Sequence, residues 1–545
     1  MARIMKHSYT TSIIVLALFI CTTLRAQTTS WVRSTPGATF PVWDPKWSHG
    51  LAVAPSTGAT VLFPIDNAKL RTYDWQGVMV EERTLPAAHS LRSISDGSMV
   101  MGTFQGSMEI GGITLQGGTA NADAYVARLN AEGDPLWATH SVTMDSQGLV
   151  ISRFAVAPNG RSVIHLVSAG AHRWGGDTVL SDPGDRLLIV LDNNGSLAWY
   201  KRLGRSTSFP SFMENNVEVA INDAGDVWIA AILQSDLVIE GDTIPCGPTY
   251  ASNQFVAHFS TSGELLSHRT FIGSFGQTHL LARSISAWPD GRLFMGGFYR
   301  NGLDLGDTVL TAPNTVQGLL LEFDPALNIL GYHPLRSQGS AVLTAITADP
   351  TANRLLLSGI LGRDASFGGS SMDIDAESVA FAAVWGVNDG LEQWSPMMYT
   401  NDVLNGSIWP LNIVAEDHVV HVNGSIAGTV RRMNGTVIPS NGFLARVDLM
   451  GHVGLGPVNG DELPVLRCWP SPTPGDLHVE FAGNGAAVAY RILALDGRLV
   501  GSGQWPSTTI GKQVHYLALE HLPHGTYLLS VVQDRATSTT RFIRQ

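Results

Sequence analysis

The chain has 545 residues, 44% of them hydrophobic and 15% charged, which excludes a disordered chain and suggests more than one domain. Its formal charge of −12 argues against nucleic acid and anionic membrane as partners, because both need clustered positive charge. The 57 glycines and 27 prolines point to many tight turns and few long helices.

At the N-terminus, Arg3 and Lys6 precede an apolar run, Ile13–Ile20, and a polar stretch that ends at Leu24-Arg25-Ala26. This layout is that of a secretory signal peptide over residues 1–26, with cleavage between Ala26 and Gln27. The apolar run is shorter than the roughly 20 residues a transmembrane helix needs. Cys21 closes the run, but Ile20 stands where a lipoprotein signal wants a small residue. No later segment has the length and apolarity of a membrane span, so the mature chain is expected to be soluble, with a charge of −15 once Arg3, Lys6 and Arg25 are removed. Cys246 and Cys468 then remain, in different expected domains, and read as two separate thiols rather than a bridge.

The middle of the chain repeats itself. A turn marked by Gly, Asn or Asp recurs at Gly58, Gly97, Gly160, Gly225, Gly291, Asn353 and Asp417, with steps of 39, 63, 65, 66, 62 and 64 residues. A second anchor keeps the same beat: an alternating apolar run that ends in a turn. It spans Asp123–Gly133, Asp185–Gly195, Asn253–Gly263, Gln317–Asn328, Val379–Gly390 and Asn441–Gly451, with a degenerate first copy, Leu70–Gly77. Each copy reads as strand, tight turn, strand, Gly-rich excursion, strand, tight turn, strand. A four-stranded sheet cannot cover both its faces alone, so the copies must pack on one another. Seven copies of this length predict an all-β, seven-bladed β-propeller over residues 27–456. The short run Trp31–Ser34 looks like a stray fourth strand that closes the last blade.

The fourth strand often opens with Trp four residues after the turn glycine, as in Gly133 to Trp137, Gly195 to Trp199 and Gly390 to Trp394. This ending resembles the tryptophan-docking blades of quinoprotein-like propellers, where a large flat ring fills the widening gap between blades. The resemblance stops there, for the chain has no vicinal cysteine pair and no recognisable cofactor ligands. No cofactor and no metal are expected.

A Pro/Gly-rich linker over 457–463 separates a last region, 464–545, of short strands that predict a small β-sandwich. It contains Trp469-Pro470-Ser471-Pro472-Thr-Pro-Gly475-Asp-Leu477, then Leu495-Asp496-Gly497-Arg498 and Gly525-Thr-Tyr527, and it ends on Arg541-Phe-Ile-Arg544. In order and spacing these pieces resemble the type A C-terminal sorting domain of the type IX secretion system. Ser471 stands where that family usually has Asn. The resemblance assigns the motif to Pro470, Pro472, Gly475, Leu477, Asp496, Gly497, Gly525 and Tyr527. It implies export to the periplasm of a diderm bacterium, then translocation across the outer membrane, with the type IX machinery as a partner and the domain commonly cleaved.

A search for chemistry finds little. There is no Gly-x-Ser-x-Gly elbow, Walker loop or His-Glu-x-x-His. His418 and His421 are three apart, which on a strand places them on opposite faces. The run Asp373, Asp375, Glu377 begins like a calcium loop but has Ser378 and Val384 where that loop needs Gly and Glu, and reads as a solvated acidic loop. Asp223-Ala-Gly225-Asp-Val-Trp228 partly matches the Asp-box of sialidase-like propellers, but Ile221 replaces the hydroxyl residue, so a plain turn is the better reading. The segments Gly176–Val179, Gly241–Ile244 and Gly306–Val309 share Gly-Asp-Thr-aliphatic. They read first as turns whose Asp and Thr satisfy the backbone. A sharper reading makes Thr178, Thr243 and Thr308 resemble O-glycosylation acceptors of exported proteins.

The function expected is therefore a secreted or surface-displayed propeller that binds an unidentified glycan, peptide or surface protein. The acidic balance mildly favours cationic or neutral partners. A surface polysaccharide hydrolase or lyase, with carboxylates converging at the channel, is the alternative. A purely structural surface component is the third reading.

Overall fold

The computed structural model describes residues 29–35, 51–54, 59–62 and 69–73, and most of 78–448 and 466–544; the longer stretches outside it are 145–148, 206–216, 246–252, 272–279, 402–406, 449–465 and 495–498. The chain divides into two compact units, Thr28–Met450 and one containing Gly451–Gln545. The protein is all-β: among the described residues the helical structure is one 3-10 turn, Pro350–Ala352. The expected signal peptide and the linker over 457–463 lie outside the described residues, as do Gly58, Asp417 and His418.

In the first unit, antiparallel four-stranded arrangements follow one another. One of them pairs Val150–Val156, Ser162–Val167, Asp185–Leu191 and Leu197–Arg205 in order. The next pairs Val217–Ile221, Val227–Leu233, Asn253–Phe259 and Leu265–Phe271. Burial explains the sequence of each strand. The middle strands Asp185–Leu191 and Val227–Leu233 are buried at every position because neighbouring sheets cover both faces, so from Leu187 and from Val227 they read as continuous apolar runs. The fourth strand Leu265–Phe271 has one solvent face and alternates.

The first strands lie side by side in chain order: Leu51–Ala54, Ala88–Ile94, Val150–Val156, Val217–Ile221, Leu280–Ala287, Val342–Asp349 and Ser407–Glu416, and the last of these adjoins the first. At that junction Leu51 and Tyr73 pack with Val414 and Leu444. Strand Thr29–Thr35, which contains the run 31–34, pairs antiparallel with Asn441–Asp448; Val32 lies opposite Ala445.

The anchoring turns show why the chain uses Gly or Asn there. Gly160, Gly225, Gly291 and Asn353 have φ of 90°, 99°, 89° and 51°, a left-handed conformation that most side chains oppose. At one of them the Asn222 Oδ1 accepts the amides of Gly225 and Asp226, both at 2.9 Å, and the Asp-box look-alike is a turn between two strands. In the second anchor the left-handed residue of the fifth copy is Leu327 (φ 62°), one position before Asn328. Asp324 accepts the backbone and side-chain nitrogens of Asn328 at 2.8 and 2.9 Å, and the Leu327 side chain is buried, which together hold the unfavourable backbone.

Two of the Gly-rich excursions are small hairpins that pair with the preceding repeat. Strand His172–Trp174 of one such hairpin pairs with the end of the preceding fourth strand, Pro135–Thr143, and Val430–Arg432 pairs likewise with Gly390–Thr400. These arms extend one sheet onto the next and cover its edge.

The second unit is a sandwich of a three-stranded sheet, with Asp476–Asn484 at its centre, and a four-stranded sheet ending in Ala536–Arg544. Leu477, Val479 and Phe481 of one sheet meet Ile492, Leu529 and Phe542 of the other in one core.

Candidate functional site

The inner ring of first strands is where different repeats bring side chains to one place. Most of these strands carry a one-residue register shift at a matching point, which leaves His89, Ser152, Arg283, Thr344 and Leu411 as the extra residues. A bulge of this kind re-aims the side chains beside it.

Three successive repeats place Arg153, next to the Ser152 bulge, Glu218, and Arg283, itself an extra residue, and the repeat before them places Arg92, three residues past its own bulge. Arg153 is buried, and its Nε and Nη2 both donate to the Glu218 Oε1, at 3.1 and 3.0 Å. Its Nη1 donates to the Ser152 carbonyl at 2.8 Å, which holds the guanidinium in place. Arg92, Glu218 and Arg283 are half-buried. Arg92 Nη1 donates to the Leu91 carbonyl at 3.0 Å. The Arg283 guanidinium stands 5.5 Å from the centre of the Phe298 ring, and the exposed Arg300 stands 5.9 Å from the same ring.

Burial pushes the Glu218 carboxyl above its usual range, while Arg153, Arg283 and Arg92 pull it down. Burial lowers Arg92 to about 10, with Glu218 raising it and Arg153 lowering it further. Arg283 is lowered by burial in the same field of Glu218 and Arg153. The Glu218 carboxylate thus lies in the field of three guanidinium groups, Arg153, Arg283 and Arg92.

Behind Arg153, its cross-strand partner His165 is fully buried, and the Ser152 hydroxyl lies 2.5 Å from its Nδ1. Burial, then the charges of Arg186 and Arg153, hold the imidazole well below its ordinary range, so it is neutral. The pair has no carboxylate orienting the histidine among the described hydrogen bonds and packs Arg153 in place. Among the described residues no group of three His, Cys, Asp or Glu could hold a metal.

Of the residues singled out by sequence, Thr178 and Thr243 are exposed on the outer strands of two hairpin arms, and Thr308 is half-buried in the equivalent turn. They are not brought together with the inner ring. Asp375 and Glu377 are exposed and pair with Arg363 at 3.8 and 2.8 Å, as a solvated loop does; Asp373 lies outside the described residues. His421 is buried. Cys468 is a free thiol whose pKa burial pushes up to about 12, and Cys246 lies outside the described residues.

In the C-terminal unit, Leu477 and Tyr527 are core residues, and the Tyr527 hydroxyl donates to the Pro523 carbonyl at 2.8 Å. Thr473, between the motif's proline and glycine, ties the motif to the last strand: its amide donates to the Ile543 carbonyl at 2.9 Å. Gly475 donates its amide to the Thr473 hydroxyl at 3.3 Å, and Gly525 opens the strand that carries Tyr527. Pro470, Pro472, Asp496 and Gly497 lie outside the described residues, as do Ala26 and Gln27.

Sequence reading missed Arg92, Arg153, Glu218 and Arg283. A signal was present: single charges in apolar first strands such as Val150-Ile-Ser-Arg-Phe-Ala-Val156 and Val217-Glu-Val-Ala-Ile221.

Residues 467–545 match the family described as secretion system C-terminal sorting domain. No curated protein matches the chain. Among solved structures, a gluconolactonase from Xanthomonas campestris is similar at 14% identity over 58% of this chain and 83% of its own, with a TM-score of 0.28. PorZ, a bacterial surface component of the type IX secretion system of Porphyromonas gingivalis, is similar at 11% identity over 91% of this chain and 81% of its own, with a TM-score of 0.16. A protein of unknown function from Bacteroides caccae is similar at 12% identity over 52% of this chain and 80% of its own, with a TM-score of 0.27. At these TM-scores none carries an argument about this chain. The C-terminal unit does: it is a type IX sorting domain, which directs export to the cell surface or secretion and implies contact with that machinery. No described helix is long and apolar enough to cross a membrane.

Proposed function

We propose that the protein is an exported, seven-bladed propeller that acts as a binding module at the cell surface or in the medium, with the N-terminal strand 31–34 completing its last blade. The supporting observation is the inner ring, where adjoining repeats hold Arg153 and Glu218 as a hydrogen-bonded pair, with Arg92 and Arg283 in the same field. A channel built for glycoside chemistry needs two carboxylates about 5–9 Å apart. Here the described charges around Glu218 are guanidinium groups, which suit binding rather than acid–base work.

The test is cell fractionation of the full chain and of a chain lacking residues 467–545. The full chain is expected in the surface wash or the medium, with the shortened chain retained inside the cell. Equal export of both would overturn the delivery reading. Intact mass of the exported product is expected to place its ends near Gln27 and residue 460. Mass beyond the polypeptide would support Thr178, Thr243 and Thr308 as glycan acceptors, and its absence would remove them.

A further inference from the structure

We propose that the strand Met79–Thr84 is a docking edge for a second copy of this chain, which lays its own Met79–Thr84 antiparallel against it across a two-fold axis. This goes beyond the binding-module reading and does not depend on it.

Three observations carry it. First, this edge lacks the cover its counterparts have. Met79–Thr84 is the fourth strand of the first repeat and ends its sheet; among the described residues it is paired with Lys69–Tyr73 alone. The fourth strands Pro135–Thr143 and Gly390–Thr400 each pair with an arm of the following repeat. Arg336, just past Ile329–Leu335, exchanges backbone bonds of 2.9 and 2.8 Å with Ser366 of another arm. The hairpin that follows Met79–Thr84, Ser107–Ile110 with Ile113–Gln116, turns instead onto its own repeat. There His140 Nε2 donates to the Gln116 carbonyl at 2.9 Å, and a Cβ on Gly111 would stand 2.3 Å from the Pro135 ring.

Second, the strand is bare. Five of the six residues of Met79–Thr84 are exposed, against one of nine in Pro135–Thr143 and two of seven in Leu265–Phe271. Val78, Met79 and Val80 form a run of three apolar side chains that are 52%, 49% and 58% exposed. An apolar edge strand is a template for a further strand, and so long an exposed run has a use.

Third, charge selects the second copy. Charges on an edge ordinarily oppose strand addition. Here they are matched: Lys69 and Arg71 hold Glu82, and Arg83 holds Glu81 and reaches Asp134 at 3.0 Å. Antiparallel pairing of two such strands about Glu82 sets Glu81 opposite Arg83 of the other copy, twice, and Val80 opposite Thr84, twice. The two Glu82 carboxylates meet at the axis, each balanced by the Lys69 and Arg71 of its own copy. Both edges are consumed, so association closes at a dimer.

Sedimentation velocity of the purified full chain over a concentration series is the test. We expect the mass to rise from one chain to two. V80K, on an exposed side chain, should weaken the dimer by about tenfold or more, as should E81R and R83E, which each set like charges face to face. An equimolar mixture of E81R and R83E should recover the dimer, because their facing charges are again opposite; two misfolded chains would not recover it. A single chain at every concentration overturns the proposal. So does a dimer that V80K leaves unchanged, which would use another surface, and so does a mixture no more associated than its two components. None of these results depends on where the cell places the protein, so failure here and failure of the export reading are distinguishable.

Discussion

The outer and inner ends of the same repeats obey different rules. At the outer end the indole of Trp137 lies against Gly195 of the next repeat, and a Cβ on that glycine would stand 2.7 Å from the ring. Trp199 lies in the same way against Gly263, at 2.8 Å. Both glycines are buried and both have φ near 84° (84° and 83°). At the inner end the equivalent first strands carry Arg92, Arg153, Glu218 and Arg283, which are not copies of one another. The difference teaches that positions which recur build the ring, and positions which diverge at one level within it make the site.

The comparison can be broken by substitution. The largest effect is expected at the outer end. Gly263→Ala adds a methyl into the Trp199 ring and opposes a left-handed backbone, and should cost about 2–4 kcal/mol in urea unfolding. Trp199→Ala removes the same contact from the other side and should cost about 2–3 kcal/mol, less than for a fully buried ring because Trp199 is half-buried.

Per histidine and per pH unit, a smaller effect is expected from acid. Burial keeps His165 well below its ordinary range and lowers His89 to about 4. The unfolded chain protonates both near 6.5, so it binds more protons than the folded chain below that pH. Stability should therefore fall as pH drops from about 6.5 toward 4, by about 1.4 kcal/mol per pH unit for each group. His165→Gln should reduce that slope by one group's share; an unchanged slope would show that His165 is not held neutral.

The smallest effect sharpens the comparison. Gly306 also has positive φ (108°), but nothing lies within 4 Å of its Cβ position. Gly306→Ala should cost only about 1 kcal/mol, the backbone term without the indole. A cost equal to that of Gly263→Ala would mean that docking of the tryptophan adds nothing.

The same contrast sets what was legible in the sequence. Gly160, Gly225, Gly291 and Asn353 could be read because a left-handed turn restricts residue type wherever it occurs. The motif residues Leu477 and Tyr527 could be read because a core position and a hydrogen-bonded tyrosine restrict residue type. The turn at Leu327 broke the rule, since burial of its side chain and the Asp324–Asn328 bonds offset the backbone cost. The inner site was not legible. Arg153 and Glu218 are 65 residues apart, and their meeting depends on how adjoining first strands are aligned, which no periodicity states.

The most direct measurement is urea unfolding of Gly263→Ala and Gly306→Ala side by side. The account predicts a loss of about 2–4 kcal/mol for Gly263→Ala and about 1 kcal/mol for Gly306→Ala, because only the first drives a methyl against an indole. Equal losses in the two would contradict the claim that the docked tryptophan builds the ring.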